Sequence, residues 1–197
     1  MKENSKQKVL ESAKILMLSK GKDGVRMQEI ADHAGINKGL LHYYFKNKEN
    51  IFKEVFLGEF NKIYGNLNVI LESYDTMERK LSRIIDHYYD MLWSNPNLPT
   101  FIMFEINKNP ALVKELTDQS SLQDTVELLD LEFKKNGIIS SPSFAFQVIL
   151  NIISMCVFPF MMKPIVEEMS HKNNKDFEAI MTERKDFLKN VIITSFK

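Results

Sequence analysis

QEIADHAGINKGLLHYYFKNKENIF, residues 28–52, is the stretch whose reading decides the fold. It reads as two short helices joined by a tight turn, followed by the start of a third. The first helix carries Ile30, Ala31 and Ala34 on one side. Ala34-Gly35-Ile36 forms the turn, because Gly35 can take the left-handed conformation that ends a helix abruptly. Asn37 suits an N-cap, since its side-chain oxygen can accept from an orphan amide of the next helix. That helix, over 38–44, buries Leu41, Tyr44 and Phe45 by its spacing and turns Lys38, Gly39, Leu40, His42 and Tyr43 outward. A small helix held by a turn, with polar and aromatic groups outward, suits a DNA major groove.

The words IADHAGINKGLLHYYF and KNKENIF resemble the DNA-binding segment of the TetR family of bacterial transcriptional regulators. The sequence keeps Ile30-Ala31, Ala34-Gly35, Leu41, Tyr44-Phe45 and Lys48-Glu49 of the family pattern. It departs at Leu40, where the family often has Thr, at His42, where it often has Tyr, and at Arg26, where it often has Ser or Thr. The resemblance implies an all-α fold. A helix-turn-helix, three-helix DNA-binding domain would occupy residues 1–47, and a helical ligand-binding and dimerisation domain residues 48–197. It also implies a double-stranded DNA operator, a small-molecule effector held in the body, and a homodimer paired through the C-terminal helices.

Composition agrees with such a division. The 197 residues suffice for one sizeable domain, or for a small one attached to a medium one. Seven Gly and six Pro are few for an all-β or loop-rich chain. Net charge is zero, but residues 1–50 hold 10 Lys/Arg against 6 Asp/Glu, while the remainder holds 16 against 20. A basic head on an acidic body fits DNA binding by the head alone. Cys156 is the only cysteine, so no internal disulfide or Cys-based metal site forms. The N-terminus lacks an apolar signal core. The greasiest run, Val148 to Met162, reads as too short and broken to span a membrane. These features place the protein in the cytoplasm, away from membranes.

Along the chain, Val9, Leu10, Ala13, Leu16 and Met17 mark a first helix that Gly21 ends. After the motif a long helix runs from Lys48 to about Leu71, capped by Asn47. Asp75 through Glu78 reads as a capping box for a helix that stops before Asn95-Pro96. A short helix around Phe101 follows, and Asn109-Pro110 restarts the chain. Ala111 to Lys135 reads as helical, with a break near Ser120-Ser121, and Gly137 ends it. Ser141-Pro142 opens a helix that Pro159 and Pro164 kink or divide. A final helix runs from about Lys175 to Phe196. About nine helices and no strand are predicted.

Lys38, Leu40, His42, Tyr43 and Lys48 stand nearest DNA in this reading, with Asn37 and Gly39 beside them and Arg26 ahead of the motif. Lys48 and the amides around it can meet one phosphate, and Lys38 can reach a guanine. His42 and Tyr43 can donate to phosphate or reach base edges. Leu40 offers only apolar contact. In the body, Phe101 to Phe104 and Val157 to Met162 are runs of large apolar groups. Such runs fill a core or line an adaptable cavity. With the cavity that the resemblance implies, His87, Tyr88, Trp93, Phe101, Phe104, Glu105, Met155 and Phe158 become its candidate lining. The stretch 143–158 is apolar nearly all round, and the last helix carries an apolar stripe. Phe146, Ile149, Ile153, Phe187, Leu188 and Val191 are therefore the candidate dimer contacts.

Nothing calls for a cofactor, a metal or catalysis. There is no Gly-rich phosphate loop, and His33, His42, His87 and His171 are scattered. The reading that results is a ligand-responsive DNA-binding transcriptional regulator, a repressor released from its operator by a small apolar or amphipathic molecule. The alternative is an all-α ligand-binding or adaptor protein whose head contacts another protein. Lys, His and Tyr on the 38–44 helix favour the first; Leu40 favours the second.

Overall fold

A computed structural model describes residues 2–119, 122–138 and 141–195. Among them are eleven helices and no strand: α1 Lys2–Lys20, α2 Met27–Ala34, α3 Lys38–Tyr44, α4 Lys48–Leu71, α5 Met77–Ser94, α6 Leu98–Lys108, α7 Ala111–Gln119, α8 Leu122–Lys135, α9 Phe144–Met161, α10 Lys163–Lys172 and α11 Phe177–Thr194. The chain divides into two compact units, Met1–Lys62 with Thr100–Ser120, and Ile63–Pro99 with Ser121–Lys197. Helices α4 and α6 contribute residues to both.

The first unit is built on local punctuation. Gly21 ends α1 at φ 71°, with its amide on the Met17 oxygen at 2.9 Å. Val9, Ala13 and Met17 repeat at one helical turn and are fully buried, as are Val25, Ile30, Leu41 and Ile51. Each of the larger side chains contributes about 2 kcal/mol through burial, and the Ala13 methyl about 0.8 kcal/mol. Asn47 caps α4 by accepting from the Asn50 amide at 2.9 Å. Phe101 of α6 packs against Phe52 and Phe56, with ring centroids at 6.1 and 5.9 Å. Glu105, 2% exposed, accepts from the Lys22 amide at 3.3 Å.

In the second unit, α5 packs against both α9 and α11. Leu81, Ile84, Ile85, Tyr88 and Leu92 of α5 meet a core that includes Leu129, Phe133, Ile149, Ile152, Cys156, Met181, Leu188 and Ile192. Lys80, 3% exposed, pairs with Glu132 of α8. Thr125 donates to Asn68 Oδ1 at 2.5 Å. Burial pushes the Cys156 thiol up to about 12, so it packs as an inert small hydrophobe.

Several boundaries differ from the sequence reading. The extra helices come from dividing 111–135 into α7 and α8 and from α10; the residues at the first division, Ser120-Ser121, lie outside the described ones. Thr76, not Asp75, caps α5, accepting from the Arg79 amide at 3.4 Å. Asp75 instead binds Arg83 at 2.5 Å and Arg79 at 3.4 Å. Helix α9 passes through Pro159 and stops at Met161, and Pro164 falls in the first turn of α10. At 18 residues α9 is also long and apolar enough to cross a membrane, contrary to the reading of 148–162 as too short. Its Val148, Ile149, Ile152 and Phe160 are buried in the second unit.

Candidate nucleic-acid interface

The turn before α3 is made of two local devices. Gly35 sits at φ 66°, where a Cβ would be strained, and its amide and that of Ile36 bond the last carbonyls of α2 at 3.2 and 3.0 Å. Asn37 then accepts the Leu40 amide on Oδ1 at 2.8 Å. Leu41 and Phe45 are buried beneath α3, and Tyr44 is half-buried. These anchors leave Lys38, Gly39, His42 and Tyr43 exposed on the outer side, with Leu40 half-buried beside them. A Cβ on Gly39 would come to 3.3 Å from Asn37 Oδ1, so this position keeps the cap uncrowded. Tyr43 is 70% exposed, its ring edge-on to Tyr44 at 5.5 Å. A large aromatic held that far into solvent has no packing role and is available to a partner.

Around this face the cations are partly committed. Lys48 donates to the Val25 oxygen at 2.9 Å and to the Asp23 oxygen at 3.5 Å, so its ammonium ties the α1–α2 loop to the start of α4. A lysine has three N–H donors, and one remains for a phosphate. Arg26 precedes α2 with its side chain exposed, while its amide donates to Glu29 at 2.7 Å. The hydrogen bond from Lys20, then the one from the Arg26 amide, holds the Glu29 carboxyl below its usual range. Asn37 gives its oxygen to the cap, which leaves its amide nitrogen for an outside partner. Lys46 is exposed just after α3, its backbone oxygen 3.3 Å from His42 Nδ1, and the sequence reading did not name it. The only sign of it was its place beside the Asn47 cap.

A buried scaffold, a glycine turn, a capped short helix and an outward basic-aromatic face make a helix-turn-helix. The profile of bacterial regulatory proteins of the tetR family matches residues 9–55, which cover α1 to the first turns of α4. Residues 9–55 thus match the DNA-binding segment of the TetR family. It is similar to YttP of Bacillus subtilis, described as a probable HTH-type transcriptional regulator, at 23% identity over 86% of this chain and 83% of that one. It is also 23% identical to the fatty acid metabolism regulator protein of Bacillus subtilis, over 51% of this chain and 52% of that one. The structure of the Bacillus subtilis transcriptional regulator FadR in complex with stearoyl-CoA superposes with a TM-score of 0.68 at 19% identity, over 92% of this chain and 96% of that one. That last likeness is one of fold. The match at the head and the likeness to these regulators support a DNA-binding transcriptional regulator.

The candidate effector residues do not gather into one lining. Phe101, Phe104 and Glu105 belong to the first unit, where Phe101 and Glu105 are spent on internal packing and Phe104 is 58% exposed. In the second unit, Tyr88 borders a void of about 10 Å³ with Leu67, Ile84, Thr125, Leu129 and Ile149. The Tyr88 hydroxyl is buried without a hydrogen-bond partner among the described residues, and burial raises it well above its ordinary range. His87 lies half-buried, its ring 6.2 Å from that of Tyr88. Trp93 packs edge-on to Phe160 and Phe177. Phe158 borders a second, open groove of about 400 Å³ with Val166, Met169, Ile180 and Arg184. Met155 is half-buried, and its carbonyl bonds Arg184.

The candidate pairing residues also separate. Phe146, Phe187 and Val191 are 42%, 61% and 36% exposed, and Ile153 is half-buried. Ile149 and Leu188 are 5% and 2% exposed and belong to the core of their own chain. The apolar run around α9 concealed which positions face inward.

Proposed function

We propose that this TetR-family regulator is a homodimeric repressor whose hold on its operator is weakened by a small apolar or amphipathic effector. Residues 1–47 bind DNA, and residues 48–197 bind the effector and pair the subunits. The observation that carries the DNA reading is α3 itself. It is capped by Asn37, locked by Leu41, and presents Lys38, Leu40, His42 and Tyr43 on one outward side. Lys48, Arg26 and the amides at the start of α4 and α3 supply phosphate contacts that set the register of that helix.

Two copies are needed because one seven-residue helix reads only a few base pairs. A two-fold pair places two such helices one DNA turn apart, and its operator is a palindrome. The exposed row Phe146, Leu150 on α9 and Phe187, Val191 on α11 is the surface that supports pairing. The effector site is the core around Tyr88, where a void and an unpartnered hydroxyl coincide. At its present size the void holds about one water, so an effector enters by widening it. The relative named for fatty acid metabolism and the neighbour solved with stearoyl-CoA make long-chain acyl compounds the first class to try. Such a ligand lowers operator affinity only if it binds better to a dimer whose heads no longer match the operator spacing.

The test is selection of duplexes from a random pool by the purified protein at low salt, followed by a salt series on the winner. A palindromic motif with a steep salt slope, released by acyl-CoA or free fatty acid, is the expected outcome. Protein that retains no duplex from the pool sinks the DNA reading.

A further inference from the structure

His42 is exposed on the outer side of α3, one turn after Lys38. Its Nδ1 lies 3.3 Å from the backbone oxygen of Lys46. A carbonyl oxygen only accepts, so the ring nitrogen must donate. In the neutral imidazole the single proton then sits on Nδ1, and Nε2 is left with a bare lone pair. The carbonyl that imposes this is well placed to do so. It follows directly on Phe45, which is 1% exposed and whose amide bonds the Leu41 oxygen at 2.8 Å. The backbone at Lys46 is therefore held by the core of the head, and the ring is turned to match it.

We infer that His42 is a specificity-determining residue that accepts, through Nε2, a hydrogen bond from the exocyclic amine of a cytosine or an adenine in the major groove. The inference rests on the reading of α3 as the recognition helix. Phosphate oxygens accept only, so a bare Nε2 facing the DNA backbone would set one lone pair against another. The same holds for guanine O6 and N7 and for thymine O4. In the major groove the donors are cytosine N4 and adenine N6 alone. Every other polar side chain on the outer face of α3 can donate: Lys38 only donates, and Tyr43 carries a hydroxyl proton. His42 is thus the one group there that is set as an acceptor by its own internal bond. Against a phosphate role, its ring in this form would also add nothing to counterion release.

The experiment is parallel duplex selection from a random pool with the wild type, His42→Phe and His42→Gln, each first checked for unchanged helical content. The phenyl ring keeps the shape and removes the acceptor; the amide keeps an acceptor. Wild type should select cytosine or adenine at one position of each half-site. His42→Phe should lose that preference alone, with the rest of the motif and the salt slope unchanged, and His42→Gln should retain a preference for an amine-bearing base. On the selected site, replacing that base by an analogue without its amine should cost the wild type about tenfold in affinity and His42→Phe nothing. The inference is overturned if His42→Phe selects the same motif, or if its salt slope drops by about one, which marks a phosphate contact. Nitrogen NMR that finds the proton on Nε2 of the neutral ring overturns it as well. A wild type that selects no duplex at all would instead refute the recognition helix on which the inference stands.

Discussion

Arg184 donates through Nε and Nη2 to the backbone oxygen of Met155, at 3.4 and 3.2 Å. The bond exists because of Pro159. In a helix the oxygen of Met155 would take the amide four residues on, and proline has none. Helix α9 nevertheless continues through Pro159 to Met161. The guanidinium from α11 supplies the missing donor and ties the two helices where their packing would otherwise expose an orphan carbonyl.

Arg184→Met should therefore destabilise the protein by about 1.5 kcal/mol in urea unfolding, the range for a lost bond to a charged group. With Pro159→Ala in the background, the new alanine offers its own amide to Met155, and the cost of Arg184→Met should fall by at least half. Simple additivity of the two substitutions would show that the bond matters little.

Asn37→Ala should cost about 1 kcal/mol, because the Leu40 amide loses its side-chain cap. Gly35→Ala should cost about as much, here through the left-handed backbone alone, since a Cβ at Gly35 meets nothing within 4 Å. Both changes loosen the entry of α3, so operator affinity should fall with stability, while Asn37→Asp keeps the cap and the stability but lowers affinity, because it removes the amide donor and sets a negative charge toward the phosphates. Unchanged thermal midpoints would remove the cap from the account.

These same local devices explain what was legible beforehand. The glycine turn, the Asn37 cap, the Asn47 cap and the buried Leu41 act within a few residues of themselves, so the head could be read from its letters. The body could not be read in the same way. Glu105 meets Lys22 across 83 positions, and no local pattern announces that it serves the first unit rather than a cavity. Helix α9 is apolar nearly all round, broken only by Gln147, Asn151 and Ser154, so periodicity says little about whether Ile149 or Phe146 turns inward. The two prolines were visible, but whether Pro159 breaks α9 or is bridged depends on Arg184, which lies 29 residues from Met155.

The buried pair in the second unit gives a pH dependence. Burial works to raise the Glu132 carboxyl, but hydrogen bonds from Lys135 and Lys80 outweigh it and hold it below its ordinary 4.5. A group depressed in the folded state contributes stability above its unfolded value, and loses it as pH falls through the folded one. That contribution should thus begin to fall near pH 4.5 and be lost as pH drops through the lower folded value, and Glu132→Gln should flatten the acid limb of a stability-against-pH curve below pH 4.5. At pH 7, Lys80→Met should cost about 3 kcal/mol, because it leaves a largely buried carboxylate with one exposed lysine. Lys135→Met, at a side chain 69% exposed, should cost less than about 0.5 kcal/mol.

Lys48 joins stability and binding in one side chain. Lys48→Met removes the donor to the Val25 and Asp23 oxygens and should lower head stability by about 1 kcal/mol. If its third N–H meets a phosphate, the salt slope of operator binding should also fall by about one. A stability loss with an unchanged slope would assign Lys48 to the scaffold alone.

The pairing surface is tested by placing one charge on the exposed side and another on the buried side of the same helices. Phe187 of α11 is 61% exposed, and Leu150 of α9 is 42% exposed, one turn from Phe146. Phe187→Glu or Leu150→Glu puts a carboxylate where a free subunit shows it only to water, so each chain should keep its helical content and melting point. In a dimer that carboxylate would be buried against apolar side chains without a partner, at a cost of several kcal/mol. Sedimentation should then find a folded monomer, and operator binding should fall by orders of magnitude because one head no longer assists the other. Ile149→Glu and Leu188→Glu, at 5% and 2% exposure, should instead unfold the second unit, since they place the charge in the core of a single chain. The contrast between neighbours, Ile149 against Leu150 and Phe187 against Leu188, separates assembly from folding. A wild type that sediments as a monomer at micromolar concentration, or a Phe187→Glu variant that stays dimeric, would move the pairing surface elsewhere.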